Sequence, residues 1–437
     1  MSLQSSGPLF DPGQGGWFRS RHGGIREQLP VILVWSCMLL LPFGRLVELP
    51  VLIMAVLAIR LIVRHGWSVC WHGSAKLFTI IFLLIWIPAV ISAFDAVNLE
   101  KTLRTVLGQP RLYFAGLFIV YHLSTPTVWQ HFLRLSSWLL LFWLGDALFQ
   151  AVAGFDLFGF KRIPLYLNGV FGEHRIKMGI VLAAFTPLLF EYARRNWVRS
   201  VQLMVFLATL LVILLSGSRA AWIMFGVLTV AYVVLIWKEQ RKAPVRLITL
   251  LVFLLTVTFV STYHFSNQFS SRVETSLLVL QGENAAIDAA VSWRLPIWST
   301  AIKMIKHHPI NGVGARSFRY AYPLYAAPGD RFITPGSPVG AFHSHQLFLD
   351  ITSETGLIGL AGLVTAMALL ARVWLKTDNT QRYWMVPGGL AVLVAFFPIN
   401  THFALFSSFW SQIVWWLIAL YCAGSKVEEK SLNLGSK

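Results

Sequence analysis

The chain is poor in charge. Only 13% of its 437 residues are Asp, Glu, Lys or Arg, and 56% are hydrophobic. A soluble protein of this length carries about 25% charged residues to cover its surface, so soluble multidomain architectures are excluded. Acidic residues are the scarcest, 19 against 36 Lys and Arg, for a formal charge of +17. Cysteine is nearly absent. Cys37, Cys70 and Cys422 lie in or beside apolar stretches with neither metal-ligand spacing nor a disulfide framework, and read as small hydrophobes. Repeats of fixed period and low-complexity segments are missing. The first 28 residues are Gly-rich and polar, with Arg19, Arg21 and Arg26, and show no short apolar region followed by a small-residue cleavage site. They read as a retained tail.

What is present is a series of long apolar blocks, with a mean hydropathy of +0.64 for the whole chain. They predict an all-α, polytopic membrane protein with about twelve spans. The spans fall near 29–44, 48–63, 77–94, 105–123, 132–152, 176–191, 200–216, 220–237, 247–264, 346–371, 383–399 and 407–424. The expected organisation is a cytoplasmic tail (1–28), nine spans (29–264), a long loop (265–344), three spans (345–424) and a second tail (425–437). With twelve spans, one set of connections collects Arg60, Arg64, Arg194, Arg195, Arg199, Lys238, Arg241, Lys242, Arg246, Arg372, Lys376 and Arg382 on the side of both termini. By the positive-inside rule that side is the cytoplasm. The rule also accounts for much of the basic excess, so no nucleic-acid partner is expected.

The opposite side holds a medium loop at 153–175 and the long loop at 265–344. Long loops in compact proteins are usually functional. Trp293, Ile297, Trp298, Ile302 and Ile305 recur at helical spacing and predict an amphipathic helix from Ser292 to His307 lying at the membrane interface. Pro309 ends it, and Asn311-Gly312-Val313-Gly314 turns the chain. Basic residues should be depleted on this side, yet the long loop has Arg272, Arg294, Lys303, Lys306, Arg316, Arg319 and Arg331. The medium loop region adds Lys161, Arg162, Arg175 and Lys177. Such a face suits an anionic substrate, a diphosphate or an acidic headgroup. Contact with anionic membrane lipids is the competing explanation.

Two constellations carry chemistry. In Ser216-Gly217-Ser218-Arg219, a hairpin between apolar blocks, Ser218 can cap the following helix and Arg219 occupies its first turn. A cation at the positive end of a helix is unfavourable unless an anion is near, and together they form a phosphate site. Snorkelling to the interface is the alternative. The second is His343-Ser344-His345-Gln346, followed by Asp350, Glu354, Gly356 and Gly359. His345 is expected at the start of the next span, where imidazole can serve as a general base. Gly356 and Gly359 would allow close helix packing. His-x-His also suggests a metal, but no third ligand stands at metal-site spacing. Asp350 and Glu354 lie one turn apart, positioned to orient His345 or pair with Arg. Arg111 and Asp146 fall inside spans with no partner assignable from the sequence.

Taken together, Ser216-Gly217-Ser218-Arg219, Arg294 with Trp298, the run His308 to Gly314, and His345-Gln346 nine residues before Gly356-Leu357-Ile358-Gly359 resemble the O-antigen ligase and polymerase superfamily. Gln346 stands where many members have Asn, within the ligase pattern. The resemblance implies a GT-C-type, inverting, metal-independent glycosyltransferase without cofactor. It would use an undecaprenyl-diphosphate-linked polysaccharide donor and a lipid A–core acceptor on the periplasmic side of the bacterial inner membrane. Arg219, Arg294 and His345 match the family's essential residues, and Ser218, His343, Gln346, Arg316 and Arg319 are the candidate substrate-binding residues. An O-antigen polymerase, a protein O-oligosaccharyltransferase and, outside enzymes, a lipid-linked glycan transporter are the alternatives.

Overall fold

The computed structural model describes residues 25–163, 166–172, 177–240, 245–398, 400 and 404–427. Most of both tails and Arg175 lie outside the described residues. Among those described, the protein is helical, with only two isolated β-bridges, Phe155–Lys161 and Ile163–Tyr166.

Helices stand at all twelve expected places. By length and apolar content, six stretches are able to cross a membrane: Gln28–His65, Gly73–Asp95, Pro126–Ala153, Arg219–Glu239, Ile248–Phe265 and Leu347–Lys376. The first unites the expected pair at 29–44 and 48–63, bent at Gly44, whose φ is +70°. The expected span at 105–123 is divided. An amphipathic helix, Leu99–Gly108, precedes an apolar one, Pro110–His122, because Pro110 has no N–H to continue the ladder. Arg199–Leu215 is apolar but shorter.

The helix Ser408–Gly424 sits at the centre, buried without a break from Trp410 to Gly424. A helix apolar on every side has to be surrounded, and Pro110–His122, Gly73–Ile91 and Asn379–Phe396 pack around it. Trp415 meets Phe82 at 5.0 Å and Phe78 at 6.1 Å between ring centroids. Lipid is as apolar as leucine, so such helices associate through close packing rather than water exclusion. A Cβ on Gly388 would lie 2.7 Å from Tyr421 N, which shows how near those two backbones come. At the periphery, Val152, Phe253 and Val63 point outward as lipid-facing side chains do. The three cysteines are buried free thiols.

The structure assigns the in-span charges. Arg111 forks onto Glu48, with Nε–Oε2 and Nη2–Oε1 both 2.9 Å, and Gln412 also donates to Glu48. Asp146 accepts from Leu157 N at 2.8 Å.

One expectation is corrected at Gly356. The helix Leu347–Lys376 is not continuous, because Gly356 adopts φ +67° and ψ −167° and breaks it in two. The run His308 to Gly314 fills the break. Val313 N donates to Ser353 O at 2.9 Å and Gly314 N to Glu354 O at 3.0 Å, while Leu357 N donates to Pro309 O at 2.8 Å and Ile358 N to Ile310 O at 3.3 Å. Backbone groups freed by the break are thereby satisfied, as burial in an apolar medium demands. A Cβ on Gly356 would collide with the Ile310 carbonyl. Gly356 therefore packs against this loop run and not against a neighbouring helix; Gly362, by contrast, does sit directly against Leu84 O of another helix.

Candidate anion and proton-transfer site

The hairpin that carries Arg219 is set by its glycine and serines. Gly217 takes φ +68°. Ser216 Oγ donates to Ile213 O at 2.7 Å, ending the helix Arg199–Leu215. Ser218 Oγ accepts from Ala221 N at 3.4 Å and caps Arg219–Gln240. Arg219 then reaches the long loop, donating from Nη1 to Ser276 Oγ at 3.1 Å and to Ala290 O, and from Nη2 to Ser292 Oγ. Every partner is a neutral oxygen, so the guanidinium charge is solvated but not neutralised.

Arg294 lies two residues beyond Ser292, at the N-cap of the helix Leu295–His307. That helix begins three residues later than the expected Ser292–His307, because Ser292 and Trp293 take φ +64° and +59°. Trp293 is thus outside it, with the Arg331 guanidinium 4.1 Å above its ring. Burial, and after it the charge of Arg219, push Arg294 down to about 10. It is still a cation at neutral pH, and no described carboxylate pairs with it. Arg272 is close by in the same loop, donating to Tyr166 Oη and lying 4.8 Å from that ring; its buried Nε has no protein partner. Arg162, which donates to Gln268, is likewise left with a buried unpartnered Nε.

His345 connects to these cations through Trp298. One helical turn past Arg294, Trp298 Nε1 donates to Ser344 O at 3.0 Å. His345 takes φ +54°, its N–H donates to His343 Nδ1 at 3.2 Å, and the two rings stand 3.8 Å apart. The expectation that His345 opens the helix is corrected by one turn element: Gln346 is the N-cap and Leu347 the first helical residue, with Gln346 Oε1 accepting from Leu349 N at 2.6 Å. Gln346 Nε2 meanwhile donates to Pro398 O at 3.2 Å. Asp350 fixes the turn from behind, its Oδ1 accepting from Ser344 N at 3.1 Å and from Ser344 Oγ at 3.4 Å.

Arg316 and Arg319 do not join Arg219. They face the buried Asp350 and Glu354, whose charges they feel, and Arg319 lies 4.6 Å above the Phe342 ring. Burial and the neighbouring Arg316 hold the Arg319 guanidinium below its ordinary value. The non-glycine residues of positive φ among those described are Ser292, Trp293, Arg316 and His345. Each such position costs about 1–3 kcal/mol and gathers where function requires it. All four lie between Ser292 and His345: two beside Arg294, one in the His345 turn, and Arg316 facing Asp350 and Glu354.

The partners of Arg219, namely Ser276, Ala290 and Ser292, were not legible in the sequence, since they carry no distinguishing chemistry. Nor were Tyr166 beside Arg272, or Lys101 near Arg316. A family model described as O-antigen ligase matches residues 203–364, a stretch that contains every candidate site residue from Ser218 to Gln346. No curated protein matches the chain.

Proposed function

On the premise that residues 203–364 belong to the O-antigen ligase family, we propose that the chain transfers a polysaccharide from undecaprenyl diphosphate to a sugar of lipid A–core, on the periplasmic side of the bacterial inner membrane. In this reading the twelve helical stretches cross the bilayer, both termini are cytoplasmic, and the hairpin at Arg219 and the loop 265–344 face outward. The observation that carries the proposal is the pair Arg219 and Arg294, ion-paired to no carboxylate among the described residues and tied through Ser292 and Trp298 to the turn that holds His345.

Two neighbouring guanidiniums without a carboxylate repel each other until an anion arrives. A diphosphate accepts charge-assisted hydrogen bonds worth about 1.5–3 kcal/mol each. His345 takes the proton of an acceptor hydroxyl as its oxygen attacks the anomeric carbon. The bond from that carbon to the diphosphate oxygen breaks, and the electron pair leaves on the diphosphate. Attack opposite the leaving group inverts the anomeric centre. Proton removal by a placed imidazole is worth on the order of 100- to 10,000-fold in rate. Arg219 and Arg294 stabilise charge developing on the leaving phosphate, the task a divalent ion performs in other phosphate enzymes, and each is worth roughly 100- to 1,000-fold. The strained backbone at His345 keeps its ring placed before substrate binds.

The test is transfer in vitro by purified protein in chelator, with lipid-linked polysaccharide as donor and lipid A–core or a second lipid-linked glycan as rival acceptors. Product on lipid A–core supports ligation. Product only on the second lipid-linked glycan makes the protein a polymerase. A full product ladder from His345→Ala refutes the base assignment.

A further inference from the structure

A second cationic feature lies mostly outside the matched stretch, with Arg316 its one basic residue inside it. Lys101, Arg104, Arg111 and Arg316 line a cavity of about 220 Å³, together with Thr105, Gln109 and Ser411. Lys101, Arg104 and Thr105 share a face of the amphipathic helix Leu99–Gly108, at spacings of three and four. At about 30 Å³ per water, this is room for roughly seven waters, or for a phosphate and part of one sugar ring.

Its charges are unequal in their commitments. Arg111 is held by Glu48, and Arg104 contacts Glu100 at 2.6 Å, with both side chains mostly in the open, where such a pair is heavily screened. Neither Lys101 nor Arg316 has a described carboxylate within ion-pair distance of its side chain. Arg316 is fixed there by its backbone, at φ +64°, with its N–H held by Glu354. Burial lowers the Lys101 ammonium from its ordinary value, and the charges of Arg316, Arg319 and Arg104 lower it further. These cations crowd one another as Arg219 and Arg294 do.

The cavity is linked to the His345 turn by a different route: Arg316 acts on Asp350, which holds Ser344. Arg219 and Arg294 reach the same turn through Ser292 and Trp298. We propose that this cavity binds a phosphorylated sugar of the acceptor, so that His345 stands between a donor diphosphate and an acceptor phosphate. The proposal rests on the transferase reading above for the word acceptor, and on the cavity alone for phosphate binding.

The experiment therefore begins without transfer. Glucose 6-phosphate is titrated calorimetrically into the full chain in phosphatidylcholine nanodiscs, with glucose as the neutral control. Saturable binding of the phosphate sugar alone is expected. The Lys101→Ala/Arg104→Ala variant should weaken it by roughly tenfold or more. Absence of binding, or equal binding by the double variant, overturns the proposal. Phosphatidylglycerol nanodiscs separate a sugar phosphate from a lipid headgroup. Unchanged affinity supports the sugar, and displacement by roughly tenfold assigns the cavity to lipid and overturns it. In the transfer assay, the double variant should raise KM for a phosphorylated acceptor while kcat and the donor KM hold, and should make no difference with a dephosphorylated acceptor. If transfer itself fails for the wild type but the calorimetry succeeds, the transferase reading falls and the phosphate site stands.

Discussion

Arginines at the two ends of one helical hairpin are treated in opposite ways. In the last turn of the helix Met178–Asn196, just before Arg199–Leu215 begins, Arg194 and Arg195 both grip the buried Glu191, at 2.9 and 3.0 Å, and Arg194 also meets Glu239 at 3.2 Å. At the far end of the 17-residue helix Arg199–Leu215, about 26 Å long at 1.5 Å per residue, the described partners of Arg219 are hydroxyl and carbonyl oxygens, and Arg294 repels it. The protein has the means to neutralise a half-buried guanidinium and uses them at one end only. Fold maintenance explains the paired end. In the proposed reading the unpaired end becomes favourable once an outside anion supplies the missing charge.

Substitutions can break that comparison. The largest effect is expected at the unpaired end. Arg219→Ala and Arg294→Ala should each lower glycan transfer by roughly 100- to 1,000-fold while membrane insertion and melting temperature hold. A matching collapse of thermal stability in both variants would mean that these arginines are structural after all. At the paired end the effects exchange places. Glu191→Ala leaves two guanidiniums without their carboxylate and should cost about 3 kcal/mol of stability, read as a lowered melting temperature, with donor affinity unchanged.

Next in size is the broken helix. Gly356→Ala forces a side chain into positive φ against the Ile310 carbonyl and should cost about 1–3 kcal/mol, with transfer reduced because the His345 turn shifts. A neutral outcome would show that the break tolerates repair. The smallest effect sharpens the comparison by pH. Burial lowers Arg294 from its ordinary value to about 10, so its charge is complete well below that pH and disappears above it. Donor affinity should hold from neutral pH and fall above about 10. From about 10 up to the ordinary arginine range the unfolded chain binds more protons at this residue, so its contribution to stability should rise with pH through that window. Affinity and stability moving in opposite directions would identify a charge kept for a ligand.

Much of this was legible before any coordinates. Arg219, Arg294 and His345 stood out because each departs from a general rule: a cation at a helix start, cations where they should be scarce, and an imidazole at the end of a long loop. The helical positions followed from apolar block length. Other features depended on long-range pairing that local pattern does not encode. Gly356 and Gly359 form a pattern usual in helix packing, yet Gly356 breaks its helix because Ile310, 46 residues earlier, occupies the gap. Lys101 drew no reading from the sequence, because only the division of the expected 105–123 span at Pro110 lays the helix Leu99–Gly108 beside Arg316. Which helices cross the bilayer was only partly legible, since among the described residues length and apolar content qualify six stretches, one of them uniting two of the twelve expected spans.

The central claim is that Arg219 and Arg294 are left without acids so that a lipid diphosphate can supply the negative charge. Its most direct measurement is the affinity of purified protein for undecaprenyl diphosphate in chelator, comparing wild type with Arg219→Ala/Arg294→Ala and with Glu191→Ala. Tight, metal-independent binding that the double variant loses by roughly 100-fold or more, and that Glu191→Ala keeps, is the predicted result. Equal binding by wild type and the double variant would contradict it.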